Sequence, residues 1–298
     1  MTRSGLLVVH KPRGPTSHDV VGQARRLFGT REVGHAGTLD PMASGVLVVL
    51  VGEATKLSAH LTLDDKTYVA RVAFGRSTDT LDAEGTTVEE DPLPADFPSE
   101  ERLALALAQE RLRTLQVPPA FSAVSVGGVR AHRLARRGRP VELEPRSVRV
   151  DAIDLVSRAG AEVVVRLSVS KGYYVRAFAR DLGAALGVPS HLAALERVAS
   201  GPYRLEEAVP WPAREPPRLV PLAAAATRAL PSVLLTEAGA AKARVGQRLS
   251  AEHFAAPPPS VEGAVEGAVA WLGPDGGLVA LGTAEGGGSY RVLRGFRE

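Results

Sequence analysis

The sequence predicts an α+β fold with a small β-rich tail, and three observations carry that expectation. The unbroken apolar run at 46–51 reads as a strand buried on both faces. Strict alternation at 66–74, with further strand patterns at 148–156 and 162–170, supplies more of a sheet, and stretches of helical spacing lie between them. Beyond Pro231 the style changes to short strands and glycine turns at 265–272, 278–283 and 290–293. That tail of about 65 residues is the right size for a small β-barrel-like unit.

Taken in order, residues 5–9 form a first strand that ends in the turn Lys11-Pro12-Arg13-Gly14-Pro15. Ser17 is a suitable N-cap for a helix that places Val20, Ala24, Leu27 and Phe28 on one face and closes at Gly29. A short helix is expected at 54–61, and the polar loop 75–85 reads as solvated or RNA-facing. Its acids fail the spacing of a calcium loop. Ser99 opens a helix running to about residue 115, with Glu100 and Glu101 favourably placed in its first turn. After the strand at 162–170, a helix carries Phe178, Leu182, Ala185 and Leu186 on one face and ends at Gly187. Ser190 is expected to cap another helix, 191–198, and a last one is expected at 219–230 after a proline-rich crossing.

At 45% hydrophobic and 23% charged residues, a chain of 298 residues has ample material for a core. The absence of cysteine excludes disulfides and thiolate chemistry and fits a cytoplasmic protein. No apolar segment approaches the ~20 residues of a membrane span. Five of the 36 basic side chains are lysine, leaving 31 arginines, and their placement is more informative than their number. Between residues 130 and 149 seven arginines face two glutamates, a local excess of five charges in a chain whose net charge is +3. Such an excess suits a phosphate backbone better than a solvated helix face, which usually mixes both signs.

The stretch Gly34-His35-Ala36-Gly37-Thr38-Leu39-Asp40-Pro41-Met42-Ala43-Ser44-Gly45 places one acid and one imidazole on a small-residue loop ahead of the buried strand. Pro41 stiffens the chain after Asp40. Two readings stay open on these residues alone: a reactive carboxylate, or an Asx-turn in which Asp40 bonds local amides. No Gly-x-Ser-x-Gly elbow, Walker loop or dinucleotide fingerprint occurs, and the seven histidines lack metal-ligand spacing. No metal site is expected.

The residues 34–41 strongly resemble the signature of TruB-type tRNA pseudouridine synthases. Further blocks resemble that family in the same order: Gly5-Leu6-Leu7-Val8-Val9-His10-Lys11-Pro12, Gly52-Glu53-Ala54-Thr55-Lys56, Lys66-Thr67-Tyr68 and Gln116-Val117-Pro118-Pro119-Ala120-Phe121-Ser122-Ala123. So do Arg130-Ala131-His132-Arg133-Leu134-Ala135-Arg136, Ser170-Lys171-Gly172-Tyr173-Tyr174-Val175-Arg176 and Leu195-Glu196-Arg197. The resemblance implies a pseudouridine-synthase fold, a mixed and largely antiparallel sheet flanked by helices, over residues 1–231, with a basic RNA-gripping insertion at about 120–150. Residues 232–298 resemble, more weakly, an RNA-binding PUA domain.

What the resemblance implies chemically is isomerisation of uridine to pseudouridine at position 55 of the tRNA T-arm, by a monomer needing no cofactor, metal or protein partner. Asp40 is carried over as the essential carboxylate. Tyr68 would stack on the extruded base, Arg176 would pair with Asp40, and Leu195 and Tyr174 would line the pocket. His35 would enter the space that the flipped nucleotide leaves, and Lys11 would support the loop. Arg130, His132, Arg133, Arg136 and Arg137 would form the basic arm. Two departures appear: the block after Ser122-Ala123 usually continues with a lysine in the family and here reads Val124-Ser125-Val126, and His132 stands where a tyrosine is common. An RNA-binding tRNA-folding factor, with turnover incidental, is the alternative from another class, though it has no need of Asp40. A guide-RNA-dependent relative is a second, against which the basic insertion argues.

Overall fold

The computed structural model describes residues 4–62, 65–122, 124–126, 129–131, 143–259 and 267–297. A nine-stranded sheet forms the frame. Its first strands in chain order are β1 (Gly5–Lys11), β2 (Val33–Ala36), β3 (Ser44–Val51) and β4 (Lys66–Phe74). The small strands β5 (Arg76–Thr78) to β10 stand outside it: β6 (Thr87–Glu90), β7 (Leu115–Gln116), β8 (Ser125–Val126), β9 (Val129–Arg130) and β10 (Arg146–Ser147). The main sheet resumes with β11 (Val150–Ala159), β12 (Glu162–Val169), β13 (Ser190–Ser200), β14 (Tyr203–Arg204) and β15 (Val209–Pro210). The order is β11-β12-β4-β13-β3-β1-β15, with β2 added to β3 and β14 to β13. Most pairs are antiparallel, and the parallel ones are β13 with β3 and β1 with β15.

The helices are α1 (Ser17–Phe28), α2 (Ser58–Leu61), α3 (Glu100–Arg111), α4 (Val175–Leu186), α5 (Leu222–Ala229) and α6 (Glu237–Arg244). The run at 46–51 is buried on both sides, as its composition requires. Leu47 and Val49 pack with Val20, Val21 and Ala24 of α1, while Val46, Val48 and Leu50 join the opposite cluster. Across β4 and β12, Phe178 and Leu182 of α4 and Leu103 and Leu107 of α3 close a third cluster over Val163, Val165 and Leu167. Among the described residues no helix is long and apolar enough to cross a membrane.

The structure departs from the sequence reading at several points. Residues 190–200 are strand β13, not a helix behind a Ser190 cap. Ala, Leu and Glu favour helix, but Leu195, Arg197 and Ala199 alternate inward and the segment pairs over its whole length with β4. Tertiary pairing overrides propensity here. Ser190 instead donates to the Ala179 carbonyl of α4 at 2.7 Å. The N-cap of α1 is Thr16, locked in a reciprocal capping box with Asp19, which leaves the Ser17 hydroxyl free for another partner. On α4, Ala185 is exposed and Gly183 takes the inward place against Ser190. Helix α3 stops at Arg111, and α6 was not expected at all.

The tail holds a five-stranded sheet, β16-β18-β19-β20-β17, built from β16 (Ser232–Leu234), β17 (Leu249–Ser250), β18 (Val269–Leu272), β19 (Leu278–Gly286) and β20 (Ser289–Gly295). Its Ala270, Leu281 and Phe296 share one apolar cluster with Leu6 and Val8 of β1 and Leu222 of α5. The Lys56 ammonium also donates to the Gly295 carbonyl at 3.0 Å.

The parallel junction of β13 with β3 is where backbone approach is closest. Gly45 pairs with Arg197, has φ of +106°, and presents its Cα to the Arg197 backbone. A methyl group there would collide with that backbone and adopt a strained φ. Gly45→Ala is therefore expected to cost at least about 3 kcal/mol in urea unfolding; a loss under about 1 kcal/mol would refute the close approach.

Candidate active site

The glycine-rich stretch leaves the sheet after β2 and returns at β3, with Gly37 and Gly45 at positive φ on either side of Asp40. Three sets of bonds fix the loop from beneath. The Ser17 hydroxyl both accepts from Leu39 N–H (2.8 Å) and donates to the Leu39 carbonyl (3.0 Å). Arg197, 1% exposed, donates to the carbonyls of Val46 (2.7 Å), Thr38 (3.1 Å) and Gly37 (3.1 Å). Lys11 lies fully buried and donates to the carbonyls of Pro12 (2.9 Å), Pro15 (2.8 Å) and, at 3.5 Å, Pro41. Leu39, Met42 and Ala43 anchor the same loop in the core.

Asp40 stands above this base with its carboxylate partly open. Its Oδ2 accepts from Arg176 Nε at 2.9 Å, so its partner is a distant arginine and not a local amide as an Asx-turn requires. Arg176, in the first turn of α4 and 7% exposed, spends every nitrogen: Nη1 donates to the Thr80 carbonyl (3.0 Å) and Nη2 to the Phe121 carbonyl (2.9 Å). A second carboxylate, buried Asp82, lies 3.7 Å from Nε and is itself held by the Thr80 hydroxyl at 2.7 Å.

Asp40 and Arg176 open onto a cavity of about 820 Å³ whose walls include Tyr68, Tyr174 and Leu195. Tyr68 projects from β4 opposite Leu167 and Arg197, and β13 brings Leu195 alongside. The Tyr174 phenol has its pKa raised, chiefly by burial, so it stays neutral. Arg146 and Lys171 stand in the same wall and add positive charge to it.

Residues 25–175 match the family described as TruB family pseudouridylate synthase (N terminal domain). The tRNA pseudouridine synthase B of Mycobacterium sp. (strain KMS) is 45% identical over 283 residues, covering 93% of this chain and 91% of that protein. Its namesake from Mycobacterium tuberculosis (strain ATCC 25618 / H37Rv) is 46% identical over 211 residues, 70% of each chain. This chain belongs to the TruB family.

It is accordingly a pseudouridine synthase that acts on tRNA. Among solved structures, an H/ACA RNP bound to a substrate RNA containing 2′-deoxyuridine superposes with a TM-score of 0.73 at 24% identity, covering 99% of this chain and 85% of the other. A Cbf5–Nop10–Gar1 complex gives 0.72 at 25% identity, with coverage of 99% and 84%. These likenesses carry a shared fold over 99% of this chain.

The structure gathers five of the residues singled out from the TruB resemblance, Asp40, Tyr68, Tyr174, Arg176 and Leu195, around one cavity. Lys11 lies under the loop and not in the cavity wall. His35 is on β2 and lines a separate hollow of about 460 Å³ with His18, Arg25 and Lys56. Its Nδ1 has no hydrogen-bond partner among the described residues, and burial, Arg197 and His18 lower its pKa and keep the ring neutral. Of the basic arm, Arg130 lies on β9, while His132, Arg133, Arg136 and Arg137 fall outside the described residues. Sequence reasoning missed Arg197 and Asp82 as parts of the site. Arg197 sat in a block read as helix, and Asp82 in a polar loop whose only signal was its run of hydroxyl and acid residues.

Burial lowers the Lys11 ammonium from its ordinary 10.5 to about 8, against the opposing attraction of Asp40. The folded protein thus gives up this proton before the unfolded chain does, and between those values the unfolded state binds more protons. Stability contributed through Lys11 must rise with pH across that window. Urea unfolding of wild type and Lys11→Met from pH 7.5 to 10.5 should show a widening wild-type advantage; a constant difference would contradict the buried ammonium.

Proposed function

We propose that this synthase converts the uridine at position 55 in the T-arm of tRNA to pseudouridine, acting as a monomer in the cytoplasm. The observation that carries the reading is the partly open carboxylate of Asp40, fixed by Arg176 at the edge of a cavity large enough for one flipped nucleotide. A tyrosine ring and an apolar leucine form the walls that a base needs, and stacking on an aromatic ring is worth about 1–3 kcal/mol per base.

The reaction breaks the C1′–N1 bond, turns the uracil and forms a C1′–C5 bond. C5 then loses its proton and N1 gains one, so the isomerisation balances with no oxidant, reductant or added group. Asp40 serves it in one of two ways: by adding to the sugar or base as a nucleophile, or by stabilising positive charge at the sugar while C2′ gives up a proton that returns to C2′ as C1′ bonds to C5. Both need a carboxylate of fixed orientation, which the guanidinium bond supplies. Tyr68 stacks on the base, and its hydroxyl serves proton transfer. His35, neutral on its adjoining strand, occupies the gap left in the RNA stack. The basic insertion grips the T-arm, and the PUA-like tail at 232–298 adds a second RNA contact.

Purified protein incubated alone with an unmodified tRNA transcript should yield pseudouridine at position 55, mapped by carbodiimide modification and primer extension. A T-arm stem-loop should suffice as substrate. Pseudouridine at another position only, or a requirement for a guide RNA, would overturn this reading.

A further inference from the structure

The root of the basic insertion is tied to the segment that carries Tyr174 and Arg176 by three contacts that run in step along both chains. The Tyr173 hydroxyl donates to Glu110 Oε1 of α3 at 2.7 Å. Gln116 of β7 brackets the Tyr174 backbone. The Arg176 guanidinium donates to the Phe121 carbonyl at 2.9 Å. The middle contact is the one made through two bonds. Gln116 is 1% exposed, its Oε1 accepts from Tyr174 N–H at 2.8 Å, and its Nε2 donates to the Tyr174 carbonyl at 3.2 Å.

This is strand-like pairing performed by one side-chain amide, and only one orientation of that amide satisfies both bonds. Tyr174 is the N-cap of α4, has no side-chain cap, and lies just ahead of the turn that presents Arg176. Its carbonyl already accepts from Phe178 N–H in the helix, but its own N–H precedes the helical ladder and Gln116 supplies the acceptor. On its other side Gln116 pairs through its backbone with Arg146 of β10, the two-residue ladder that forms the neck of the insertion. One residue therefore belongs both to the neck of the RNA-gripping segment and to the peptide that positions two cavity residues.

We infer that Gln116 is a positioning residue for the isomerisation, latching the neck of the insertion to Tyr174 so that RNA held by the insertion and the groups facing the target uridine keep one register. The inference rests on the proposed placement of that uridine against Tyr174 and Arg176. Gln116 touches no reacting atom; it acts through the Tyr174 peptide. Losing the latch leaves the RNA grip and the Asp40–Arg176 bond in place but frees the neck to shift, and displacements near 1 Å cost about 100-fold in rate.

The test is single-turnover pseudouridine formation and tRNA affinity measured side by side for wild type, Gln116→Leu and Gln116→Glu. Leu removes both bonds, whereas Glu keeps the volume and the acceptor for Tyr174 N–H. The expected rate order is wild type, then Glu, then Leu, with Leu slower by about 10- to 100-fold and affinities within about twofold. Wild-type rate in the Leu variant, or rate and affinity falling in parallel, would overturn the latch. If Gln116→Leu does not fold, Gln116→Met, unbranched and of similar length but without a hydrogen-bonding group, takes its place: slower turnover at unchanged affinity supports the latch, and wild-type turnover refutes it. An inactive wild type would instead bring down the functional reading on which the latch rests; an active wild type with indifferent Gln116 variants refutes the latch alone.

Discussion

The Arg176 guanidinium is the interaction on which the site depends. A cation 7% exposed is tolerable only when its charge and its donors are all answered, and here one carboxylate bond, two carbonyl bonds and the nearby Asp82 answer them. Those partners come from three separate stretches of chain, the Asp40 loop, the loop after β5 and the root of the insertion, and Arg176 itself comes from a fourth, α4. Folding must bring all four together before the charge can be buried. Removing the guanidinium would strand buried Asp82 and loosen Asp40 at once, and breaking a buried pair of this kind typically costs about 3–5 kcal/mol.

A division of labour follows around Asp40. The two cations beneath it, Lys11 and Arg197, spend their donors on backbone carbonyls of the loop and the adjoining turns. They set the loop's shape, and among the described residues neither makes a hydrogen bond to the carboxylate. Arg176 alone takes one oxygen, Oδ2, and the other has no hydrogen-bond partner among the described residues. A carboxylate fixed through one oxygen and open through the other is oriented without being used up. The backbone strain of the loop is confined to glycines, which bear it at little cost.

Much of this was legible in the chain, and the exceptions share a cause. The two-sided burial of the strand at 46–51, the alternation at 66–74 and the glycine-bounded loop are local patterns, and local patterns survive translation into structure. The family signature then connected Asp40 with Tyr68, Tyr174, Arg176 and Leu195 across more than a hundred residues. Strand β13 was misread because Ala, Leu, Glu and Arg favour helix, and only its slot between β4 and β3 makes it a strand. With that misreading the role of Arg197 was hidden, since an inward arginine has meaning only once Gly37, Thr38 and Val46 are its neighbours. The cap of α1 was off by one residue, and the error concealed the bond from Ser17 to the loop. Nor does a boundary at residue 231 show that Ala270, Leu281 and Phe296 of the tail share a cluster with β1. Each of these is a contact between segments distant in sequence, which no window of neighbouring residues records.

The central claim is that Asp40 does the chemistry and that binding alone does not. Tritium release from tRNA carrying 5-tritiated uridine, measured for wild type and Asp40→Asn at saturating protein, tests it most directly, because the amide keeps the size of the side chain and one acceptor for Arg176. The account predicts prompt release by wild type and none above background by Asp40→Asn, with tRNA affinity retained. Release by the Asn variant at the wild-type rate would contradict it.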